Sequence, residues 1–196
     1  FENCLMLEAI ELPAGVTMIG DYVFANCFAL AEIKLPLRVE TPAEEEGGEP
    51  TVAESMLQSI GEGVFKNCDS LTEITLPASL RTLSELVFYN CDNLVTANIN
   101  CTCGIPYSNH GFFYDCDYLT SVTIGDSVTS IGSSAFRYCE RLETVSIGSS
   151  VTSIGDQVFY QCYKLSTVNI PDSVKSIGKS AFYQCYALET IVIGNG

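Results

Sequence analysis

The sequence predicts one α/β repeat solenoid over residues 1–196, with a parallel β-sheet on one face and short helical or 3₁₀ segments on the other. Three observations predict this fold. A Phe-x-x-Cys element recurs along the chain, a short strand-like segment follows each element, and glycine or proline ends most of these segments. A unit of this size cannot bury its own apolar side, so neighbouring units must stack in register.

The phenylalanines of the Phe-x-x-Cys elements set the repeat period. Successive phenylalanines lie 23 residues apart, except for one step of 41 and one of 25. The chain therefore holds about seven to eight units, one with an 18-residue insertion and one with a two-residue insertion. The phenylalanines are Phe1, Phe24, Phe65, Phe88, Phe113, Phe136, Phe159 and Phe182.

Two periodicities alternate within each unit. Phe136, Cys139 and Leu142 step by three, which favours a short helical or 3₁₀ segment with one buried side. Val145 and Ile147 alternate with polar neighbours, which favours a strand with one buried face. Eight such parallel strands, joined by right-handed crossovers, predict a sheet about 35 Å across.

The repeat pattern I-G-x-x-x-F-x-x-C-x-x-L-x-x-[IV]-x-[IL]-[PG]-x-S-V resembles the BspA-type leucine-rich repeat of bacterial and protist surface proteins. The resemblance covers essentially the whole chain outside the insertions. It implies a right-handed leucine-rich-repeat array that serves extracellular adhesion or host-protein binding. Serine stands where the general leucine-rich pattern has asparagine, so we expect a ladder of serine hydroxyls bonded to neighbouring backbone groups. These serines are Ser79, Ser127, Ser150 and Ser173.

Both ends of the chain interrupt a repeat unit. The chain starts at the phenylalanine of one unit and stops just after the strand of another. Terminal repeats usually carry a polar cap over the last apolar layer, and the sequence shows none at either end. We therefore expect a fragment of a longer array.

Composition excludes several classes of function. The chain has 9 Lys and Arg against 24 Asp and Glu, a formal charge of −15, so no basic stripe is expected to bind nucleic acid. No apolar run reaches the roughly 20 residues of a membrane-spanning helix, so direct membrane insertion is not expected. With one histidine and no motif such as G-x-S-x-G or H-E-x-x-H, we expect neither enzyme activity nor a cofactor.

The longer insertion predicts an acidic, flexible segment over residues 40–57. Residues 1–62, which contain it, hold 12 acids and 2 bases, whereas residues 63–196 hold 12 acids and 7 bases. A solvated, solubilising loop is one interpretation. A site for calcium or a basic partner is the alternative, although the D-x-[DN]-x-[DN]-G spacing of calcium loops is missing.

Eight of the ten cysteines belong to the Phe-x-x-Cys elements and predict a ladder of buried, reduced thiols. Equivalent Cα atoms on adjacent coils of such a fold lie about 4.8 Å apart. Their Cβ vectors run parallel, however, and do not converge as a disulfide requires. We expect these cysteines to act as small core hydrophobes with protonated, unreactive sulfur.

Residues 100–111 form an irregular repeat. Cys101 and Cys103 lie off the cysteine ladder, His110 is nearby, and Ser108 falls at the usual isoleucine position when counted back from Phe113. An irregular surface turn is the main interpretation, and a local redox pair is an alternative. A metal site is the other alternative, but a second ligand pair at recognised spacing is missing, so no metal is assigned.

The outward-facing strand residues predict a flat binding face that is rich in hydrogen-bonding groups. Threonine also suits an exposed strand that binds nothing, so a purely structural face stays open. The candidate ligand-binding residues form two rows, Thr96, Ser121, Thr144 and Thr167 in one and Asn98, Thr123, Ser146 and Asn169 in the other.

A candidate aromatic stripe lies one residue after four of the phenylalanines, and consists of Tyr89, Tyr114, Tyr160 and Tyr183. Exposed tyrosines offer contact area to a partner at little cost in entropy. Stacking between successive coils explains the same residues without a ligand.

These features predict a non-enzymatic binding module of an extracellular or cell-surface protein. Its expected partner is a protein or glycan, such as one of the extracellular matrix or a host surface, because a solenoid spreads contacts over many units. The alternative is a passive spacer that holds another domain away from a cell surface.

Overall fold

The computed structural model describes residues 1–36, 38–41, 51–107 and 111–195. Most repeats contribute one strand of three or four residues and one strand of two residues. In chain order the strands are β1 (Ala9–Glu11), β2 (Met18–Ile19), β3 (Glu32–Lys34), β4 (Arg38–Thr41), β5 (Thr51–Glu54), β6 (Ser59–Ile60), β7 (Glu73–Leu76), β8 (Thr82–Leu83), β9 (Thr96–Ile99), β10 (Ser121–Ile124), β11 (Ser130–Ile131), β12 (Thr144–Ile147), β13 (Ser153–Ile154), β14 (Thr167–Ile170), β15 (Ser176–Ile177) and β16 (Thr190–Ile193).

The strands stack coil upon coil into a parallel β-solenoid. The longer strands form the main sheet, in which β1 pairs with β3, and β7, β9, β10, β12, β14 and β16 pair in that order. The two-residue strands pair on a second side, in the orders β2–β6–β8 and β11–β13–β15. Equivalent repeat positions lie opposite one another, as Val122 and Val145 do. The predicted stacking in register is confirmed.

The turn segments around the phenylalanines are not helical. The predictions of an α/β class and of short helical or 3₁₀ segments are wrong, since the described ranges contain no helix. They therefore contain none that could cross a membrane. In each complete segment, the residues two before and two after the phenylalanine have left-handed backbone conformations. Around Phe136 these are Ser134, with φ 62°, and Tyr138, with φ 66°. A right-handed helix cannot continue through such residues.

Backbone hydrogen bonds of the turn segments run largely between coils. Phe136 N–H donates to Val158 O at 3.0 Å, and Tyr138 N–H donates to Tyr160 O at 3.0 Å. Cys139 N–H donates back to Phe136 O at 3.3 Å and closes a turn within the coil. The turn side is thus a third set of contacts that holds successive coils together.

Stacked phenylalanines form the centre of the core. Phe136 is fully buried, with its ring centroid 5.3 Å from that of Phe113 and 5.5 Å from that of Phe159, nearly parallel to both. The ladder cysteines lie beside this stack and bond to it: Cys139 Sγ donates to Phe113 O at 3.2 Å. The seven ladder thiols after Cys4 each donate to a carbonyl of the preceding coil, so these sulfurs do not face one another.

The predicted reduced ladder agrees with the structure. All ten cysteines are free thiols. Of the eight ladder cysteines, Cys4 and Cys185 in the end coils are half-buried, and the buried ones are Cys27, Cys68, Cys91, Cys116, Cys139 and Cys162.

The acidic insertion contains strands where the sequence predicts a flexible segment. β4 and β5 pair antiparallel, with Arg38 opposite Glu54 and Thr41 opposite Thr51. Beyond them, Ser55 and Leu57 are buried, Leu57 as part of the core. Backbone pairing therefore joins the two ends of the segment, and its flexibility stays a prediction. Residues 42–50, which carry four of its glutamates, lie outside the described residues.

The main sheet is interrupted at the coil that carries the insertion. The sequence predicts eight continuous strands, but β3 and β7 belong to separate sheets. On the second side, β2 and β6 stay paired across the same step. In the core, the rings of Phe24 and Phe65 remain stacked with centroids 5.8 Å apart. The two coils therefore part only along the main sheet.

The described part of the irregular repeat over residues 100–111 contributes to the core. Cys101 is fully buried, so the predicted surface turn does not include it. Ile105 is buried, forms a parallel bridge with Ile131, and donates its N–H to Ser130 O at 2.9 Å. Ile105 thus takes the isoleucine position that residue counting assigns to Ser108, which lies outside the described residues.

The predicted serine ladder is confirmed at two of its four positions. Ser79 Oγ donates to Leu57 O at 2.6 Å, and Ser173 Oγ donates to Val151 O at 2.7 Å. Ser127 and Ser150 are exposed, and no such bond to them occurs within the described chain. The two bonded serines follow a proline by two residues, whereas the other two follow a glycine.

Removal of one stacked phenylalanine should destabilise the solenoid strongly. Phe136→Ala deletes a fully buried ring with two stacked neighbours, so we expect the free energy of unfolding to fall by about 3–5 kcal/mol. Phe28→Ala is the control, because this ring is 43% exposed, and it should cost about 1 kcal/mol or less. Urea denaturation measures both, and equal losses would contradict the stack as a main source of stability.

All ten cysteines should titrate as free thiols. In denaturant without reductant, a thiol reagent should therefore detect ten groups per chain. In the native protein, the buried thiols should react far more slowly, because they are protonated and inaccessible. A deficit of thiols in the denatured sample would reveal a disulfide and overturn the prediction.

Alkaline pH should destabilise the fold through the buried thiols. Burial raises the pKa of the Cys68 thiol from 9.0 to about 12, so between these values the unfolded chain loses a proton that the folded chain retains. The contribution of the Cys68 thiol to the free energy of unfolding is complete below pH 9 and declines towards pH 12. The decline is about 1.4 kcal/mol per pH unit. Urea denaturation across this range should show a shallower decline for Cys68→Ala, and an unchanged slope would count against this cause.

Candidate binding surfaces

The predicted sheet-face residues lie in two parallel rows on β9, β10, β12 and β14. In the first row, Thr96 pairs with Ser121, Ser121 with Thr144, and Thr144 with Thr167. In the second row, Asn98 pairs with Thr123, and Thr123 with Ser146. The β12–β14 ladder ends before it reaches Ser146 and Asn169. We call these eight residues the hydroxylated rows.

The hydroxylated rows face away from the core. Strand residues alternate between the two faces of a sheet, and the position between the rows is buried throughout, as Ala97, Val122, Val145 and Val168 show. Thr96 and Ser121 are half-buried, and the other six row residues are exposed.

Few of the polar groups in the rows bond to one another. Asn98 Nδ2 donates to Thr75 Oγ1 at 3.4 Å, and Thr144 Oγ1 donates to Ser121 Oγ at 3.2 Å. Within the described part of the chain, no other side-chain hydrogen bond involves these eight residues. The remaining hydroxyl and amide groups are available to solvent or to a ligand.

The tyrosine stripe follows the turn side and is stacked between coils. The Tyr89 and Tyr114 rings are nearly parallel with centroids 5.5 Å apart, and those of Tyr160 and Tyr183 are 4.9 Å apart. Tyr183 is exposed, and the other three are half-buried. Contact between coils therefore uses much of the ring surface that a partner would need.

Arg137 and Tyr138 fill the middle of this stripe, which sequence reasoning missed. Arg137 takes the stripe position between Tyr114 and Tyr160, and its guanidinium lies 4.7 Å from the Tyr138 ring centroid and 5.0 Å from that of Tyr160. Tyr138 also meets Tyr114 edge to face at 5.3 Å. The sequence signal for this contact was Arg137 at a repeat position that tyrosine occupies in neighbouring units, since cations stack on aromatic faces.

An acidic row follows the cysteines and was also missed. Asp69, Asp92 and Asp117 each come directly after a ladder cysteine. Burial raises the pKa of the Asp69 and Asp92 carboxyls, and the next carboxylate along the row raises each further. The described residues contain no group of three side chains placed to hold a metal ion.

Cys101 and Cys103 interact with each other. Cys101 Sγ donates to Cys103 O at 3.3 Å. A hydrogen bond between the two thiols raises the pKa of Cys101 and lowers the pKa of Cys103, and burial raises that of Cys101 further. His110 lies outside the described residues, so the structure does not place it beside the pair.

Comparisons with known proteins agree with this geometry. A family model described as the BspA type leucine rich repeat region matches in six copies, over residues 1–45, 49–109 and 107–196. A comparison with curated proteins finds no significant match.

Three solved bacterial structures share the fold. A leucine-rich repeat protein of T. pallidum is 24% identical, with a TM-score of 0.67 over 92% of this chain and 78% of that one. One from Eubacterium ventriosum is 21% identical, with a TM-score of 0.73 over 90% of this chain and 42% of that one. One from Bacteroides ovatus is 25% identical, with a TM-score of 0.50 over 96% of this chain and 61% of that one.

The first two similarities show the fold alone, because their sequence identities are low. The family model is more specific, since its six copies span nearly the whole chain. The chain belongs to the BspA-type leucine-rich repeat family.

Proposed function

We propose that this chain is a non-enzymatic binding module of a cell-surface or secreted protein, and that its partner contacts the hydroxylated rows. The partner is a protein or a glycan of an extracellular matrix or host surface, and binding serves adhesion. The alignment of exposed Thr, Ser and Asn side chains in paired strands carries the proposal.

The rigidity of the rows supports this role. Each row residue is adjacent in its strand to a buried core residue, so the backbone beneath the rows is fixed before a partner arrives. Short side chains also lose little rotamer freedom on contact, which lowers the entropic cost of binding. A flat array of donors and acceptors suits a protein surface or a sugar chain with many hydroxyls.

The family supports the location. The chain belongs to the BspA-type family, and the repeat pattern of that family resembles bacterial and protist surface proteins. The free thiols of this chain are compatible with an oxidising exterior, because most of them are buried.

A passive spacer is the second candidate function, and the tyrosine stripe favours it. Its rings contact each other and Arg137 from coil to coil, which strengthens the array without a partner. A spacer needs this rigidity but makes no use of the hydroxylated rows.

The Thr144→Arg/Thr167→Arg double variant tests the proposal. Large charged side chains at two adjacent positions of the first row should weaken binding by about tenfold or more, because their bulk keeps a partner from contact with the neighbouring polar groups. Thr129→Arg is the matched control, since Thr129 is an exposed threonine outside the main sheet. Binding of the unmodified chain to a glycan array and to matrix proteins in pull-downs identifies the partner first.

Two further results decide between the candidate functions. Tyr160→Ser/Tyr183→Ser should lower stability and leave partner binding unchanged if the stripe is structural. Equal binding by the double arginine variant and the Thr129→Arg control would overturn the role of the rows. Failure of the unmodified chain to bind in either screen would favour the spacer.

A further inference from the structure

The interruption of the main sheet opens a cleft between β3 and β7. Its volume is about 920 Å³, and its lining includes Glu11, Glu32, Lys34, Thr72, Glu73 and Thr75. Ligand sites commonly measure about 300–1,000 Å³. On the turn side the same coils remain joined, since Ser70 N–H donates to Phe28 O at 3.1 Å. We call this opening the sheet cleft.

Two strand edges line the sheet cleft without a partner strand. Among the strands that the structure describes, β3 pairs only with β1, and β7 pairs only with β9. At intact steps of the sheet, the residue before a strand donates its N–H to the preceding coil, as Val95 does to Thr72 O at 2.8 Å. At the cleft, the equivalent bond would run from Thr72 N–H to Ala31 O. The described residues do not form this bond. Such unpaired edges are templates for another strand.

Side chains around the sheet cleft give it a definite chemistry. Glu32 and Glu73 occupy the same outward row on its two sides, and Ile33 and Ile74 occupy the inward position. Lys34 is the one cation among the lining residues that the structure describes, and its Nζ lies 3.5 Å from a Glu32 carboxylate oxygen. The cleft therefore combines an apolar floor with carboxylates on both rims.

We propose that the sheet cleft binds an extended peptide segment of a partner protein by β-strand addition, with Lys or Arg between Glu32 and Glu73. This inference rests on the proposed function as a binding module but uses a site separate from the hydroxylated rows. Main-chain bonds to the strand edges supply affinity, and alternate side chains supply specificity.

The register defines the segment. A strand that continues the parallel array places a basic residue beside Glu32 and Glu73 and the next, apolar residue between Ile33 and Ile74. The segment therefore carries a basic residue followed by Val or Ile. The surrounding charge favours it as well, since residues 1–62 hold 12 acids and 2 bases.

Fluorescence anisotropy tests this proposal with the whole chain and a short labelled peptide of alternating Lys and Val. The same peptide with Glu in place of Lys should bind about tenfold more weakly or worse, because it meets like charges at the rims. Glu32→Lys/Glu73→Lys should reverse the preference between the two peptides. Glu143→Lys is the matched control, because Glu143 is exposed beside β12, where the sheet is continuous.

Amide hydrogen exchange supplies the second measurement. Binding of the Lys-Val peptide should slow exchange of the Thr72 amide and leave that of the Glu143 amide unchanged, since the latter already donates to Thr120 O at 2.9 Å. Equal loss of binding in the two charge variants, or no change at Thr72, would overturn strand addition. Slow exchange at Thr72 without peptide would do the same, because the edge would then be covered by this chain or a second copy.

The two proposals fail independently. Loss of matrix or glycan binding in Thr144→Arg/Thr167→Arg, with peptide binding unchanged, supports both sites. If Thr144→Arg/Thr167→Arg abolishes peptide binding and Glu32→Lys/Glu73→Lys leaves it unchanged, the sheet-cleft proposal alone is overturned.

Discussion

Each coil of this protein covers the apolar layer of its neighbour, because a unit of 23 residues has one buried side and no layer of its own to set against it. This constraint fixes the register. A slip of one position would move Phe136 off the rings of Phe113 and Phe159 and would turn Val145 out of the core. Register in the core then aligns the outward residues whatever their chemistry, so the hydroxylated rows and the tyrosine stripe are both consequences of the same stacking. A surface of aligned side chains is thus available to function without any additional folding requirement.

The turn side shows how the stack satisfies its backbone. Amides that a helix would bond within one coil instead donate to carbonyls of the next coil, as Phe136 N–H does to Val158 O. Left-handed residues make this possible by turning alternate peptide groups outward along the array. Cysteine suits the position beside the rings because its thiol is small, tolerates burial and still donates to a carbonyl such as Phe113 O. Conversion of these thiols to disulfides would remove such bonds, which gives the reduced state a structural basis.

The sequence predicts those features of the fold that depend on period and polarity. The spacing of phenylalanine and cysteine identifies the core, and alternation identifies which strand residues face outward. A step of three is common to helices and to successive turns, so spacing alone cannot separate the two structures. Asn before four of the cysteines was nevertheless a signal for left-handed backbone. Ile105, and not Ser108, takes the usual isoleucine position of its repeat. Counting residues back from Phe113 cannot show where within a loop the extra residues lie. The strand patterns of β3 and β7 are ordinary and do not predict the sheet cleft. The insertion between them marks the step where the sheet is interrupted, but it does not predict that the two strands separate.

Charge changes along the array even though the core does not. Residues 1–62 carry a net charge of −10, out of −15 for the chain, and this part contains the interrupted edge of β3. An unpaired strand edge invites association with identical edges, and carboxylates such as Glu32 and Glu73 oppose that pairing because both copies would present the same charge. The same carboxylates attract a strand with the opposite charge. The acidity of this region therefore makes an open edge compatible with a monomeric chain while it selects the kind of segment that the edge accepts.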